Sequence, residues 1–591
     1  MAKSPKVLFP KYAPDLNDPG EAYSAVIQNV LPRVDGYGPF QNFVTFTQAL
    51  PAPCRGYFYA RNSDGSISIF AGTATDLYEL NNATFAWVRV SAGGSSYSNL
   101  VSTSNWQFVQ FEATVIAVQI NVVPQAFLLG SSTAFAALGG SPPQAGAIAV
   151  INGFVILSEL SGNAQRLQWS DLYGITTWTA GTGYSDFQDL PDGGLVHGLS
   201  GGDNYGLVFQ DLCIRSLIYA PGQAVVFDIV RIAQNDPIYA KYSLINTGEK
   251  TFYISAQGIK RIDPGGYPIA IGKGRVDDFL KTDIDSSNLQ LVVGSADPSA
   301  TRVYWQYKST AGVLPVADKV LVYDWSIGED GEFSIISNAP TLLLQYIASL
   351  ARPGLALDAL DAITSTPLPI TAVSAGASGR VRLTLAGGLS NTSFSLLTQP
   401  SCEVYGVTGS GANLVNSAIP NTANGTWKFN IIDSTHIDLI GSAYNGGLTY
   451  TLTAAAIGGA LDALPFSLDT ISIAAQATIS GFNSSNQLGF FTGTNMDAIL
   501  ETEEFDFEGD TIFCGTIRPI TDAASALVSV VVRQSAQSPR ILCYQSAVDS
   551  NGLAGVGIES RYMRGRLEIP QGAAWTYARG LQPTFSPGGE I

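Results

Sequence analysis

Hydrophobic and polar residues alternate along most of this chain in short runs that are separated by turn residues. The regular pattern begins near residue 53. Four successive runs read GYFYAR (56–61), SISIFAGT (66–73), TDLYEL (75–80) and FAWVRVS (85–91), with the turns NSDG and NNAT between them. Alternation with a period of two is typical of half-buried strands, and such turns join antiparallel neighbours. Four strands within about 40 residues match one blade of a β-propeller.

The same strand rhythm continues in five further units, although their sequences are not repeats of one another. The units lie at 105–120, 147–180, 195–232, 242–263 and 289–336. The pattern predicts a mainly β protein that contains a β-propeller of six to eight blades. A stacked array of β-sandwiches would give a similar rhythm and is the alternative fold.

A segment of different composition interrupts this rhythm. The tetrapeptide Leu-Asp-Ala-Leu occurs at 357–360 and again at 461–464, and the roughly 100 residues between the two copies are rich in Thr, Ser, Gly and Asn. We interpret the segment as a small β-domain inserted into the propeller. The chain is expected to leave the propeller near 362 and to return near 462.

The pattern predicts five regions. They are an N-terminal docking arm (1–45), the first part of the propeller (46–362), the inserted β-domain (363–460), the returning part of the propeller (461–505) and a C-terminal β-module (506–591). Within the arm, 21–31 suits a short helix or an extended segment. Helices are expected to be rare, with 277–284 and 341–351 as candidates, the latter equally consistent with strands.

Composition agrees with many short strands. The 591 residues are 46% hydrophobic and 13% charged, with 61 glycines and 30 prolines, a balance that suits strands and turns better than long surface helices. The N-terminus has no apolar signal region, and the most apolar run, 115–130, is broken by polar residues, so we expect a soluble protein. Five scattered cysteines without a CxxC motif are expected to be reduced.

The net charge of −17 argues against a nucleic-acid-binding surface spread over the whole chain. It leaves open a different relation to DNA. A conduit that must pass DNA without holding it should have neutral or negative walls, because cationic walls would bind the phosphates and slow transit.

One of the two histidines, His436, lies between Asp433 and Asp438 in WKFNIIDSTHIDLIG. The trio could be a metal site, a catalytic relay or part of a hairpin. Alternation predicts two strands joined at a short turn, with Asp433 in the turn and with His436 and Asp438 on the outer polar face. A metal site would need further ligands, so we favour the hairpin.

The other histidine, His197, follows a Gly-, Pro- and Asp-rich stretch that is typical of a loop, with Asp189, Asp192 and Asp203 nearby. A catalytic role would need a nucleophile and an orienting partner, and no GxSxG motif supplies one. We therefore expect a structural role.

Other short motifs lack residues that known binding or catalytic sites require. The segment 283–288 lacks the glycine and glutamate of a calcium loop, and 272–275 lacks the frame of a Walker motif. The acidic stretch 501–510 suits a solvated edge. The turns at 62–70 and 326–334 do not match the repeated Ser-x-Asp-x-Gly-x-x-Trp turn of sialidase propellers. We predict no catalytic, cofactor-binding or metal-binding residues, and a protein that is not an enzyme.

Three stretches, taken in order, resemble the tail-nozzle proteins of short-tailed bacteriophages, which are also described as tail tubular or packaged-DNA-stabilising proteins. The first runs through FPKYAPDLNDPG (9–20), NVLPRVDGYGPF (29–40), 49–73 and 77–80. The second is NGTWKFNIIDSTHIDLIGSAYNGG (424–447), which is similar to a small β-module of phage tail proteins. The third is RYMRGRLEIPQGAAWTYARG (561–580). The order of the three stretches carries the resemblance.

The resemblance implies a propeller that assembles into a hexameric ring below the portal and adaptor proteins. Such a ring forms the distal channel of the virion tail, retains packaged DNA and lets it exit at infection. The implied partners are other copies of the chain, the adaptor, tail fibres, the host outer surface and double-stranded DNA in transit. The alternatives are a receptor-binding or glycan-binding propeller of a phage tail, and a propeller enzyme that cleaves glycans.

Overall fold

Nearly all of the chain's regular patterning falls in residues that the computed structural model describes. These are 5–16, 23–82, 84–94, 96–97, 101, 103–337, 342–351, 368–386, 401–416, 427–433, 435–453, 455–458, 477–507 and 510–587. They form a seven-bladed β-propeller, a closed barrel inserted into its last blade, and a second β-module built from both ends of the chain.

Seven strands precede the first blade, and most of them are too short to show a period in the sequence. They are β1 (Val7–Leu8), β2 (Lys11–Tyr12), β3 (Tyr23–Ser24), β4 (Ile27–Gln28), β5 (Val30–Arg33), β6 (Gly36–Pro39) and β7 (Gln41–Ala49). The described part of segment 21–31 is therefore extended and not helical.

Each of the first five blades is a four-stranded antiparallel sheet made from consecutive strands. Blade 1 contains β8 (Tyr57–Arg61), β9 (Ile67–Gly72), β10 (Leu77–Leu80) and β11 (Trp87–Arg89), and blade 2 contains β12 (Gln107–Phe111), β13 (Thr114–Gln119), β14 (Val122–Leu128) and β15 (Ala136–Ala137). Blade 3 contains β16 (Ala145–Ile151), β17 (Phe154–Leu160), β18 (Arg166–Trp169) and β19 (Asp186–Asp189). Blade 4 contains β20 (Val196–Ser200), β21 (Tyr205–Gln210), β22 (Cys213–Tyr219) and β23 (Phe227–Gln234), and blade 5 contains β24 (Ile245–Asn246), β25 (Thr251–Ser255), β26 (Gly258–Ile262) and β27 (Ile269–Ala270).

One short α-helix and several 3-10 turns lie between strands of the structure. Helix α1 (Asp277–Asp283) lies where the sequence predicted a helix, and Asp15 accepts hydrogen bonds from the backbone N–H groups of Asp278 (3.0 Å) and Phe279 (2.7 Å) in its first turn. The 3-10 turns are Ala92–Gly94, Pro191–Gly193, Lys241–Ser243, Ser286–Leu291, Ala377–Gly379 and Ala412–Leu414. Within the described ranges, no helix has the length and apolar character needed to cross a membrane.

Blade 6 follows the helix and is the start of a larger sheet. It contains β28 (Val293–Asp297), β29 (Arg302–Tyr307), β30 (Lys319–Asp324) and β31 (Glu332–Ser337). Its outer strand β31 pairs in parallel with β4, through Ile335 and Gln28, and the N-terminal segment thereby joins the propeller sheet.

Blade 7 is assembled from three distant parts of the chain. Its first strand is β32 (Leu344–Ala351), so the ambiguous segment 341–351 is a strand where it is described; its second and third strands are β39 (Ala477–Asn483) and β40 (Gln487–Asn495). Its fourth strand is β7, from the N-terminus, with Phe43 opposite Phe491. The ring is thus closed by pairing the beginning of the chain with a segment more than 400 residues later.

The first strands of the blades lie side by side around the ring. Contacts run from β8 to β12, β16 and β20, continue through the turn Lys241–Ser243 to β28, and return through β32 to β8. These contacts identify the first strand of each blade as the innermost one and confirm a propeller of seven blades, within the predicted six to eight.

The barrel occupies the connection between β32 and β39. Its strands are β33 (Leu368–Ala375), β34 (Val381–Leu385), β35 (Ser401–Tyr405), β36 (Trp427–Ile431), β37 (His436–Leu439) and β38 (Ala456–Gly458), in the closed order β33-β34-β37-β36-β35-β38. Its own core includes Leu383, Phe429 and Ile437, which are fully buried. The predicted crossing points near 362 and 462, with both Leu-Asp-Ala-Leu copies, lie outside the described residues.

Both ends of the chain build the second β-module. Its C-terminal strands are β41 (Ala498–Glu501), β42 (Phe505–Asp506), β43 (Ile512–Thr521), β44 (Leu527–Arg533), β45 (Ile541–Leu542), β46 (Ser546–Ala547), β47 (Ala554–Ser560), β48 (Tyr562–Ile569) and β49 (Ala578–Pro587). One sheet has the order β47-β43-β49-β6-β5, with β1 also on β49. The other continues blade 6 through β4, β41, β48, β44 and β45.

This pairing differs from two of the predicted boundaries. The arm 1–45 does not extend away from its own chain in the described residues, because β1, β5 and β6 join the C-terminal sheet. Residues 498–505 do not return to the propeller, because β41 and β42 pair with β48. These strands are two to four residues long, and their partners in β48 and β49 lie far away in sequence, so alternation could not reveal this pairing.

A single hydrophobic core joins the module to the propeller. It includes Phe252 and Trp305 from blades 5 and 6, Ile27 from β4, and Val528 and Leu567 from the module, and all of these side chains are fully buried. The propeller and the second module therefore form one packed unit. All five cysteines are free, as expected.

Candidate functional site

The His436 trio divides into two separate interactions. Asp433 lies in the turn between β36 and β37 and accepts a hydrogen bond from the backbone N–H of Thr435 at 2.8 Å. Its two carboxylate oxygens lie 2.8 and 2.9 Å from Nδ1 of His436. The Thr435 N–H and His436 lower the pKa of Asp433 to about 2. The pair stabilises the hairpin turn, and the predicted turn role of Asp433 is confirmed.

Asp438 is on the same side of β37 as His436, but the prediction that it lies on an exposed outer face is wrong. Its side chain is only 1% exposed. Nε and Nη2 of Arg382, on the neighbouring strand β34, donate to its two oxygens at 2.6 and 2.9 Å, and the Ala377 N–H donates at 3.0 Å. These donors, with Arg382 first, lower the pKa of Asp438. The pairing of β34 with β37 places Arg382 directly opposite Asp438.

His197 lies in strand β20 and not in a loop, because the loop-like residues end at Gly194. Its Nε2 is 2.5 Å from Asp211 Oδ1, while Asp211 Oδ2 accepts the Leu195 N–H at 2.7 Å. Asp211 is in the turn after β21, directly beyond the residue that pairs with Val196. The aspartates closer in sequence have other partners: Asp189 pairs with Arg166, and Asp192 pairs with Arg215.

The remaining motifs also have local partners. Asp285 pairs with Lys308 at 2.8 Å, and Asp283 pairs with Lys319 at 2.8 Å. Arg275, which ends the 272–275 motif, donates to the backbone carbonyls of Asp330 and Gly331. Across the described ranges, no three His, Cys, Asp or Glu side chains lie close enough to hold a metal ion.

The acidic stretch 501–510 is a solvated edge only in part: Asp506 and Asp510 are exposed, whereas two of its glutamates are buried. Glu501 is bonded to Arg566 at 3.0 Å, and Glu504 is only 3% exposed and lies among three arginines. No local pattern could indicate this cluster, since its arginines are 29 or more residues away from Glu504.

One face of the propeller has a distinct composition. We call it the turn face: it comprises the turns between the first and second strands of blades 1 to 6, at residues 62–66, 112–113, 152–153, 201–204, 247–250 and 298–301. In blade 7 the inserted barrel takes the place of this turn, so the chain leaves and re-enters the ring on the turn face.

Hydrogen bonds between neighbouring blades hold the turn face together. Gln110 of blade 2 donates to the Arg61 carbonyl of blade 1 at 2.8 Å and accepts its N–H at 3.0 Å. The Asn152 N–H of blade 3 donates to the Gly202 carbonyl of blade 4 at 3.3 Å. The Asn246 side chain of blade 5 donates to the Gly201 carbonyl of blade 4. The mouth of the ring is therefore a fixed surface.

Carboxylates and uncharged polar groups dominate this surface. Asp64, Glu112, Asp203 and Glu249 contribute one exposed carboxylate each from blades 1, 2, 4 and 5. Asp297 of blade 6 is buried and accepts the N–H and hydroxyl of Ser299. Of the cations on these turns or beside them, Lys250 lies 3.4 Å from Asp263 and Arg302 lies 3.0 Å from Asp324. Arg61 is next to the Tyr59 ring.

Two clefts open on the turn face. One, of about 570 Å³, lies between blades 1 and 2 and is lined by Asp64, Ser66, Glu79 and Glu112, among others. The second, of about 580 Å³, lies between blades 5 and 6. Its lining combines the ring of Trp325 with hydrogen-bonding side chains, which are Asn246, Thr247, Glu249, Asp297, Ser299 and Thr301.

Comparison with known proteins finds no matching family model and no matching curated protein. Solved structures with some similarity include the Pan2 WD40 domain of Neurospora crassa, with 10% identity over 53% of this chain and 90% of that chain and a TM-score of 0.31. Hsv2 of Kluyveromyces lactis has 12% identity over 49% of this chain and 87% of that chain, with a TM-score of 0.28. The extracellular domain of the putative hybrid two-component system BT4673 of Bacteroides thetaiotaomicron has 10% identity over 59% of this chain and 45% of that chain, with a TM-score of 0.32.

Proposed function

We propose that this protein is a structural component of a virion and forms the distal tail nozzle of a short-tailed bacteriophage. In this role it assembles into a ring, retains packaged DNA and lets the DNA exit at infection. The observation that carries the proposal is the turn face, where exposed carboxylates come from four blades and Asn, Ser, Thr and Gly fill most other positions. The ordered sequence resemblance to tail-nozzle proteins supports the same role.

The physical argument concerns the phosphates of DNA. Each phosphate contact by Lys or Arg releases counterions and makes binding tighter, and a channel lined with such contacts would hold its cargo. The carboxylates of such a wall repel phosphates, and its uncharged polar groups do not attract them strongly, so the DNA can move. We propose that the turn face borders the conduit.

Retention needs a different device, because a negative wall alone does not stop DNA under pressure. We propose that loops narrow the conduit and that the segment 189–204 takes part. Its last residues form the blade 4 turn of the turn face, and at the other end of the segment, before β20, Asp192 bonds Arg215 and Arg231. These contacts fix the start of the segment to blade 4.

An exposed apolar edge supports a role in assembly. Strand β45 is the last strand of the eleven-stranded sheet, and Ile541, Leu542 and Tyr544 on and beside it are 59%, 47% and 89% exposed. Exposed apolar edge strands promote pairing with another chain. Other copies of this chain in a hexameric ring, the tail adaptor and tail fibres are the partners that we propose, with the host surface met at infection.

Electron microscopy of the purified oligomer tests the proposal. We expect a ring with an axial channel and with the turn faces bordering that channel. A monomer under all conditions, or a ring whose channel is lined by a continuous track of Lys and Arg, would contradict it. Labelling of virions with an antibody to this chain should mark the distal end of the tail.

A second function has its own supporting observation. The cleft between blades 5 and 6 places the ring of Trp325 among amide, hydroxyl and carboxylate groups, which together can hold a sugar by its apolar face and its hydroxyls. A receptor-binding or glycan-binding propeller is therefore the alternative. Saturable binding of host polysaccharide that is lost in Asn246→Ala would favour it, and turnover of that polysaccharide would indicate a glycan-cleaving enzyme.

A further inference from the structure

Three arginines in the second β-module converge on one carboxylate. Arg533 ends β44, Arg564 lies in β48, and Arg540 directly precedes β45; each forms an ion pair with Glu504. Nη2 of Arg533 bonds Oε2 of Glu504, while Nε of Arg540 and Nε of Arg564 lie 3.3 and 3.7 Å from Oε1. We call these four side chains the arginine cluster.

The cluster has an excess of positive charge in a buried position. Three guanidinium groups face one carboxylate, and Glu501, in the neighbouring strand β41, is bonded to Arg566 at 3.0 Å. The residues Arg533, Arg564 and Glu504 are 8%, 3% and 3% exposed. Burying charge without a full set of partners is unfavourable, because the charge loses its hydration.

Arg564 is the member of the cluster with the poorest bonding. Its Nε has no hydrogen-bond partner among the described residues, and 3.7 Å to Glu504 is too long for a hydrogen bond. Nε of Arg533 is also buried and without a partner there. A buried polar group without a partner is rare in native proteins, and a bound ion is one of the groups that can satisfy it.

Access to the cluster is through Arg540. Its side chain is 34% exposed, whereas the other two arginines are nearly enclosed. The guanidinium of Arg540 can therefore contact solvent and the cluster together. A planar guanidinium binds carboxylate or phosphate oxygens through two parallel hydrogen bonds.

We propose that the arginine cluster is an oxyanion-binding site. The ligand is a carboxylate or a phosphate group that Arg540 and Arg564 bind from the side opposite Glu504, with Arg533 adding positive charge. The proposal is independent of the nozzle function. It adds a local anion site to a chain whose net charge is −17.

Calorimetry with the full chain tests the site directly. Inorganic phosphate and glutarate are the two probes, titrated at low ionic strength into the parent protein and into Arg540→Gln. We expect saturable binding of at least one probe to the parent protein. In Arg540→Gln the dissociation constant should be at least about tenfold larger, because one charge-assisted hydrogen-bonding group is lost. Arg518→Gln, at an exposed arginine of β43 outside the cluster, is the matched control and should bind like the parent.

The two probes distinguish the source of the anion. Preference for phosphate indicates a free or ligand-borne phosphate, and preference for glutarate indicates a carboxylate, such as an acidic side chain of another polypeptide. Failure of both probes to bind, or equal binding by the parent and Arg540→Gln, would overturn the proposal. Because Arg540 is partly exposed, its variant should fold, and an unchanged melting temperature without ligand verifies this.

Discussion

Arg382 and Asp438 form a two-pronged ion pair across neighbouring strands of the inserted barrel, with N–O distances of 2.6 and 2.9 Å. Asp438 is buried, whereas Arg382 is about one-quarter exposed. Replacement by Asn keeps the size of the side chain but leaves the arginine without its countercharge. We expect Asp438→Asn to destabilise the barrel by about 1 to 3 kcal/mol, less than for a fully buried pair. The change is measured by unfolding the protein in denaturant and monitoring the fluorescence of Trp427 in the barrel.

The same pair should make the barrel sensitive to acid. Arg382 lowers the pKa of Asp438, so its stabilising effect is complete above the ordinary aspartate pKa and is lost as pH falls below about 4. In Asp438→Asn this part of the acid sensitivity should be absent. Equal loss of stability between pH 6 and pH 3 in the parent and the variant would contradict the role of the pair.

His436, two residues earlier on the same strand, should matter much less. Its side chain is 35% exposed, and its partner Asp433 is at the surface. We expect His436→Gln to change stability by no more than about 0.5 kcal/mol, as is usual for exposed positions. Thermal unfolding measures this, and elemental analysis provides a second test. Stoichiometric zinc in the parent that disappears in the variant would show that the histidine is a metal ligand.

The inserted barrel should be dispensable for folding of the ring. It has its own core, and β32 and β39 pair directly with each other, from Leu344–Asn483 to Ala351–Ala477. We expect that excising 366–458 and joining the ends with a short flexible linker leaves a propeller that melts cooperatively. Calorimetry of the shortened chain is the measurement. Loss of a cooperative transition would mean that the barrel supports the ring.

Asn29 should be a sensitive position in the N-terminal segment. It is fully buried with a positive φ of 59°, its N–H donates to the Ile335 carbonyl at 2.8 Å, and its side-chain oxygen accepts the Ser337 N–H at 2.9 Å. Asn29→Ala loses the side-chain hydrogen bond and strains the backbone, so we expect a loss of about 2 to 4 kcal/mol. Asn29→Gly relieves the strain and should recover about 1 kcal/mol. Chemical denaturation of both variants separates the two effects, and equal losses would argue against backbone strain.

The nozzle proposal predicts weak affinity for duplex DNA. At physiological salt the parent should not bind with a sub-micromolar dissociation constant in a filter-binding assay. Replacing Asp64, Glu112, Asp203 and Glu249 together by Lys should create binding that weakens steeply with salt. The matched control carries Asn or Gln at the same four positions and removes charge without adding cations. Tight binding by the parent would mean that the protein holds nucleic acid.

The sequence predicts elements formed by neighbouring residues far better than pairings between residues that are far apart in the chain. The four strands of blade 1 and helix α1 lie where alternation and composition placed them, because each is defined by neighbouring residues. The pairing of β4 with β31 could not be inferred, because a two-residue strand has no period. Burial of Asp438 depends on Arg382, 56 residues earlier, and the arginine cluster joins residues 504 to 564. Such sites form only when separate strands meet.

Because β7 closes the propeller by pairing with β40, the ring can be completed only late in synthesis of the chain. Phe43 is synthesised early, but its partner Phe491 emerges only after more than 400 further residues. At typical rates of synthesis of about 5 to 20 residues per second, the first strand waits for roughly 20 to 90 s before its partner exists. During that interval its backbone groups and apolar side chains are open to neighbouring chains on the same messenger.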